Sequence, residues 1–136
     1  MKKALNIFWI ILRVLFAIFM INAGVQHFLK AEFYLPFVPS FLPFTMAIIY
    51  ISGVVEILLG AALIIPKYSK MGALGLMLLM ILFLPIHVMD VFSDTPAMGS
   101  LQAAIIRLIV QFIFIAIPWK MKDRSVFGDY TTHNYS

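Results

Sequence analysis

The chain has 136 residues, of which 63% are hydrophobic and 12% charged, with a formal net charge of +4. A soluble domain carries roughly 45–50% apolar and about 25% charged residues, so a chain this short cannot bury so much apolar surface, and lipid is its expected solvent. The lack of cysteine excludes structural disulfides, dithiol redox chemistry, thiolate metal sites and lipidation on cysteine.

The pattern predicts an all-α integral membrane four-helix bundle with an interfacial aromatic loop between helices 1 and 2. The first apolar segment covers about residues 4–24, with Arg13 as its only charge. Its start resembles a secretion signal, but the run is long, contains Arg13 and lacks a clean small-x-small cleavage site, so it reads as a retained span. The connection over about 25–45 is apolar and aromatic, and Pro36, Pro39 and Pro43 forbid one long helix there. It is expected to lie as short helical or extended pieces in the outer interface, either as an anchor or as a lid on an outward-facing cavity.

The second segment, about 46–65, holds the single charge Glu56. The basic link Pro66-Lys67-Tyr68-Ser69-Lys70 predicts a tight antiparallel helix hairpin. The third segment, about 71–91, ends with His87 and Asp90 after a kinking Pro85. The fourth, about 101–119, carries Arg107 and Gln111. Residues 120–136 form a polar tail in which His133 is assigned no role. Each segment is near the ~20 residues a spanning helix needs, and such continuous apolar runs fit helices rather than a barrel.

Seven basic residues (Lys2, Lys3, Lys67, Lys70, Lys120, Lys122 and Arg124) fall on one side of a four-span chain, against Lys30 on the other. The positive-inside rule then puts both termini in the cytoplasm. Trp9, Tyr68 and Trp119 fall at the inner interface, where amphipathic rings are favoured. The basic residues flank apolar segments, which points to lipid headgroups and not to nucleic acid.

Charge deep in a bilayer costs roughly 2.5–3.5 kcal/mol or more, so Arg13, Glu56 and Arg107 each call for a partner. Helical spacing gives each an inward face: Arg13 with Ala17, Met20, Gly24 and His27; Glu56 with Gly53 and Gly60; Arg107 with Ala103 and Gln111. Measured along their segments the three reach similar depths, which predicts one buried polar centre. It reads as a structural clasp fixing helix register, as a site whose excess positive charge holds an anionic or carbonyl-bearing ligand or tunes a proton-carrying group, or as a pair from which one arginine snorkels to an interface. A second cluster toward the outer side contains His27, His87 and Asp90, with Asn22 and Gln26 nearby. His87 with Asp90 has the chemistry of a proton-handling pair, and its bland alternative is two interfacial histidines bonded to backbone or water. Two histidines and one aspartate are a thin ligand set for haem or metal, and neither is expected.

Several stretches resemble DoxX-like membrane proteins. They are Asn22-Ala23-Gly24-Val25-Gln26-His27-Phe28 followed by Glu32-Phe33-Tyr34 and residues 39–43; Tyr50 to Gly60 with its Ser-Gly-x-x-Glu core, then Pro66; Phe83 to Asp90; and Arg107 with Gln111. The likeness runs over about residues 8–120. It implies a four-helix bundle in the bacterial inner membrane, in a family associated with thiosulfate oxidation, quinone reduction and redox stress, with distant eukaryotic members that assist receptor assembly. Function is therefore expected to be redox-associated. Arg13 or Arg107 would polarise the carbonyl of a small hydrophobic ligand such as a quinone, Glu56 would hold the arginines, and His87, Asp90 and His27 would move protons. Electrons would come from a partner, so a membrane redox complex or a homo-oligomer is the expected setting. Two rivals remain: a non-catalytic assembly partner docking through Phe33 and Tyr34, and a small oligomeric transporter.

Overall fold

The computed structural model describes residues 1–124; the end of the polar tail, His133 included, lies outside the described residues. No strand occurs among them. Helix α1 spans Lys2–Leu29, α2 is the single turn Ala31–Tyr34, and a 3-10 turn, Leu35–Phe37, follows it. Helix α3 spans Thr45–Ile64; a second 3-10 turn, Pro66–Tyr68, leads into α4, Ser69–Val91; and α5 spans Leu101–Met121. Four of these segments are long and apolar enough to cross a membrane: α1, α3, α4 with its leading turn, and α5. This is the pattern of a multi-pass membrane protein.

The boundary that differs most from expectation is the end of α1, which runs five residues past residue 24, through Gly24, Gln26 and His27. Polar side chains do not end a helix when they face inward, and Gly24 is kept because the α3 backbone lies against it. A Cβ on Gly24 would sit 2.6 Å from the main-chain oxygen of Gly53, and one on Gly53 2.8 Å from that of Gly24. The two helices therefore cross backbone to backbone, which only residues without a Cβ permit. The helix ends at Lys30, whose φ of −130° and ψ of 47° leave the helical region.

The first connection is helical in pieces, as its prolines require. Its second half turns outward, with Phe41 76% and Phe44 80% exposed, while Tyr34, Phe37 and Val38 are partly buried. Phe44 enters α3 in the left-handed region, with φ 58°, which is costly for a residue with a Cβ. Helix α5 starts at Ser100, whose hydroxyl accepts the N–H of Ala103 at 3.1 Å, a side-chain cap on an orphan donor.

In packing order α1 lies on α3, α3 on α4 and α4 on α5, while the backbones of α1 and α5 scarcely approach each other. One end carries residue 1, the Pro66–Tyr68 turn and the end of α5, and is termed the basic end; the far end carries the 30–44 and 92–100 connections. Toward the basic end a core of Phe16, Ala17, Met20, Leu63, Ala73, Leu76, Met80 and Met121 draws on all four long helices. Toward the far end the helices part around a cavity.

Candidate functional site

The Gly24–Gly53 crossing determines the site, because three residues further along each helix come His27 and Glu56. His27 Nε2 lies 3.2 Å from Glu56 Oε2, with both side chains buried. The separation is that of an ion pair, but Glu56 Oε2 has no aligned hydrogen bond among the described residues. Catalytic and binding hydrogen bonds are often misaligned before a ligand arrives, and a contact of this length between two buried groups has that character. His27 Nδ1 lies 2.9 Å from the main-chain oxygen of Ile49 and 3.0 Å from Ser52 Oγ. The Ser52 hydroxyl donates to the same Ile49 oxygen at 2.8 Å. A carbonyl only accepts, so Nδ1 carries the proton and Nε2 is the atom that meets the carboxylate. One proton is thus shared out between Nε2 and Oε2, on imidazolium or on carboxylic acid, because two facing lone pairs at that distance would repel.

Arg107 reaches the same cavity from α5. Its Nη1 donates to Gln111 Oε1 at 2.8 Å, and the fully buried Gln111 donates in turn to the main-chain oxygen of Met80 at 2.7 Å. Gln111 thereby fixes Arg107 against α4, near the stretch where Pro85 withdraws a helical donor. The guanidinium also lies 5.7 Å from the centre of the Phe114 ring, within cation–π range.

Tyr34 closes the site from above, its ring 4.1 Å from that of His27. Burial first, and the nearby Glu56 carboxylate second, push the Tyr34 phenol above its ordinary value, against a smaller opposing pull from Arg107. The phenol therefore stays an O–H donor throughout the physiological range. His87 completes the wall from α4, with Phe37 edge-on at 5.8 Å and its buried Nδ1 without a hydrogen-bond partner among the described residues.

These groups converge on a cavity of about 360 Å³, whose remaining walls include Phe19, Met20, Met80, Phe83 and Phe114. That is the size and character of a small-molecule site, mostly apolar with a few convergent polar groups. Of the residues singled out from sequence, it gathers His27, Glu56, His87 and Arg107, with Gln111 supporting from behind.

Two expected roles need correction. Arg13 does not join Glu56. It is 1% exposed at the basic end, where it donates to Ser69 Oγ, to the main-chain oxygen of Met121 at 3.0 Å and to that of Arg124. His27, the partner of Glu56, lies fourteen residues further along α1, about 21 Å at 1.5 Å per residue. Ending α1 near residue 24 had drawn Arg13 too close to the centre and placed His27 at the rim. Nor does Asp90 orient His87: its carboxylate accepts the N–H groups of Ala97 (2.5 Å) and Met98 (3.2 Å) and closes the 92–100 connection. Asp90 is a loop anchor, and Asn22 is exposed on the outer side of α1. Among the described residues no three His, Asp or Glu side chains come together as a metal set.

Sequence reasoning missed Tyr34 and Ser52 as site residues. Ser52 lies in the Ser-Gly-x-x-Glu stretch, one residue before the helix crossing and one turn from Glu56. Tyr34 was legible only as part of the Glu32-Phe33-Tyr34 stretch and as a docking residue of the assembly-partner reading.

Fold and site together define a small helical protein with four helices long and apolar enough to cross a membrane and a ligand-sized interior cavity. Residues 16–122 match the model of a family described as a domain of unknown function, DUF8561, and the chain belongs to that family. No curated protein and no solved structure matches it.

Proposed function

We propose that this is a multi-pass protein of the bacterial inner membrane, a four-helix bundle with cytoplasmic termini that binds a single-ring carbonyl ligand of quinone type and serves a DoxX-like, redox-associated membrane system. The observation that carries this reading is the convergence of His27–Glu56, Arg107 and Tyr34 on one otherwise apolar cavity of about 360 Å³. Arg107 and the Tyr34 hydroxyl are donors for a ring carbonyl, and the His27–Glu56 pair holds a proton beside it. The outward faces of all four long helices, with Leu15, Ile18, Ile51, Leu58, Leu82, Ile109 and Phe112 exposed, support a lipid surround. The resemblance at residues 22–28 and 50–60 and the basic residues at one end support the compartment and orientation.

The test is a titration of purified protein in detergent with short-chain benzoquinone and naphthoquinone, read by calorimetry. Saturable binding is expected, weakened about tenfold or more in Glu56→Gln and Arg107→Gln, since a hydrogen bond to a charged group is worth about 1.5–3 kcal/mol and 1.4 kcal/mol is tenfold. No saturable binding by the wild type, or unchanged affinity in both variants, overturns the proposal.

A second reading rests on Phe41, Phe44 and Phe92, which are 76%, 80% and 83% exposed in the far-end connections. Such rings suit docking to a larger membrane complex, with the chain acting as an assembly partner. Phe41→Ser with Phe44→Ser would then abolish co-purification of that complex and leave quinone binding intact.

A further inference from the structure

The cavity has a side door. Consecutive long helices pack on one another, but the backbones of α1 and α5 scarcely approach each other. Toward the basic end they are joined through side chains, by Arg13 to the end of α5 and by the Phe16 ring, 5.8 Å from that of Phe114. Among the described residues the other aromatic contact between the two helices is Phe19 with Phe114, tilted at 59° with 5.2 Å between centres. Both rings line the cavity, yet Phe19 is 50% exposed. The same side chain is therefore cavity wall and outer surface. The polar groups of the cavity lie further toward the far end, and beside the seam Leu15 on α1 and Ile106 and Ile113 on α5 are exposed apolar side chains, with Asn22 one turn beyond Phe19.

The geometry points to a ligand with two parts: a ring whose polar edge meets Arg107 and His27–Glu56, and an aliphatic tail that leaves the cavity between α1 and α5, past Phe19 and Phe114. This rests on the proposed ring-binding function and adds the tail, its exit and the lateral route by which the molecule arrives. A tail gains little by moving from lipid to a hydrocarbon-lined seam, so the seam acts on access and position more than on affinity.

The experiment uses wild-type protein in lipid nanodiscs and a benzoquinone bearing a photoreactive diazirine on a ten-carbon tail. After illumination, adducts are mapped by mass spectrometry, with and without excess tail-less ring compound. A diazirine-bearing alkane without a ring reports labelling by free lipid chains. Adducts concentrated in residues 14–24 and 105–117, and at least about tenfold depleted by the tail-less ring, are expected. Adducts depleted by the ring but lodged in residues 45–64 or 69–91 overturn the seam while leaving ring binding intact. Adducts spread as with the ring-less alkane and indifferent to competitor overturn the ring site and the seam together. A second measurement uses the cysteine-free background. Phe19→Cys with Phe114→Cys, joined by a short bifunctional thiol reagent, should slow uptake of the tailed quinone about tenfold or more relative to the unjoined double variant. Equal uptake rates overturn the lateral route. A bridging reagent is needed because a direct disulfide requires Cα atoms about 4.4–6.8 Å apart.

Discussion

Substituting Gly24 by alanine tests the geometry on which the site rests. The new Cβ would stand 2.6 Å from the Gly53 carbonyl oxygen, whereas ordinary contact begins near 3.4 Å, so the helices must part by the difference, about 0.8 Å. The obstacle is backbone on both helices, and no rotamer relieves it. Passed along one turn, that displacement carries the 3.2 Å separation of His27 and Glu56 to about 4 Å, the limit of an ion-pair contact. Overpacking of this kind costs about 1–3 kcal/mol. Gly75→Ala is the control: its Cβ would lie equally close, 2.5 Å, but to the Cδ2 tip of Leu59, which can turn away. Unfolding in mixed micelles titrated with denaturing detergent should show Gly24→Ala destabilised by about that amount, with quinone affinity lowered about tenfold, and Gly75→Ala close to wild type on both counts. Equal behaviour of the two variants, or wild-type affinity in Gly24→Ala, refutes the claim that backbone contact at this crossing sets the site.

Further outcomes follow from single contacts. A double-mutant cycle of His27→Gln and Glu56→Gln should give a coupling of about 0.5–3 kcal/mol in quinone binding, and additive effects would show that the pair does not act as a unit. Gln111→Leu leaves the Arg107 guanidinium and the Met80 carbonyl each short of a partner. A loss of about 1–3 kcal/mol in stability is expected, together with weaker ligand binding, both measurable on the same preparations. Asp90→Asn keeps one acceptor for the 92–100 connection but loses the charge that strengthens both bonds, so proteolysis within that connection should quicken while quinone affinity stays within about threefold of wild type. Phe44→Asn relieves the left-handed backbone at φ 58°, worth about 1 kcal/mol in detergent, since Asn tolerates that region better than Phe.

What the sequence disclosed and what it concealed have a common cause. Four continuous apolar runs, each interrupted by at most a few charges, announce four long helices, because hydropathy is summed over many residues and no single side chain decides it. The polar groups of the cavity were also visible, since Glu56, Arg107 and His87 interrupt such runs. Which of them meet was not visible. Partnership depends on relative depth, and depth depends on helix ends to within a turn. The apolar run gives way at residue 24, before Gln26 and His27, and depths measured from that boundary put Arg13 beside Glu56, whereas the helix continues and His27 is the neighbour. Asp90 posed the opposite difficulty. Its i, i+3 spacing from His87 is real, but the connection beyond it offers two backbone N–H groups that no periodicity reveals.

Arg13 poses the sharpest physical question in the molecule, a buried guanidinium that forms no ion pair among the described residues, and the end of α5 supplies the answer. The last carbonyls of a helix lack intrahelical donors and carry the negative end of its dipole. Arg13 donates to two main-chain oxygens there, those of Met121 and Arg124, and to the Ser69 hydroxyl at the start of α4. One planar fork thus ties α1, α4 and the exit of α5 at the basic end, which a lysine, as a point charge on a flexible stem, could not do. The consequence is mechanical: α1 and α5, whose backbones scarcely approach, are tied by Arg13 at that end and meet through the Phe19 and Phe114 side chains beside the cavity. Arg13→Lys should therefore expose the α5 terminus to trypsin at Lys120 and Lys122 and lower stability by about 1–3 kcal/mol, measured by digestion rate and detergent unfolding. Because the contact is remote from the ring, quinone affinity should change far less than in Arg107→Gln. If Arg13→Lys instead abolishes binding while the α5 end stays protected, the two arginines belong to one polar centre and the separation of anchor from site is wrong.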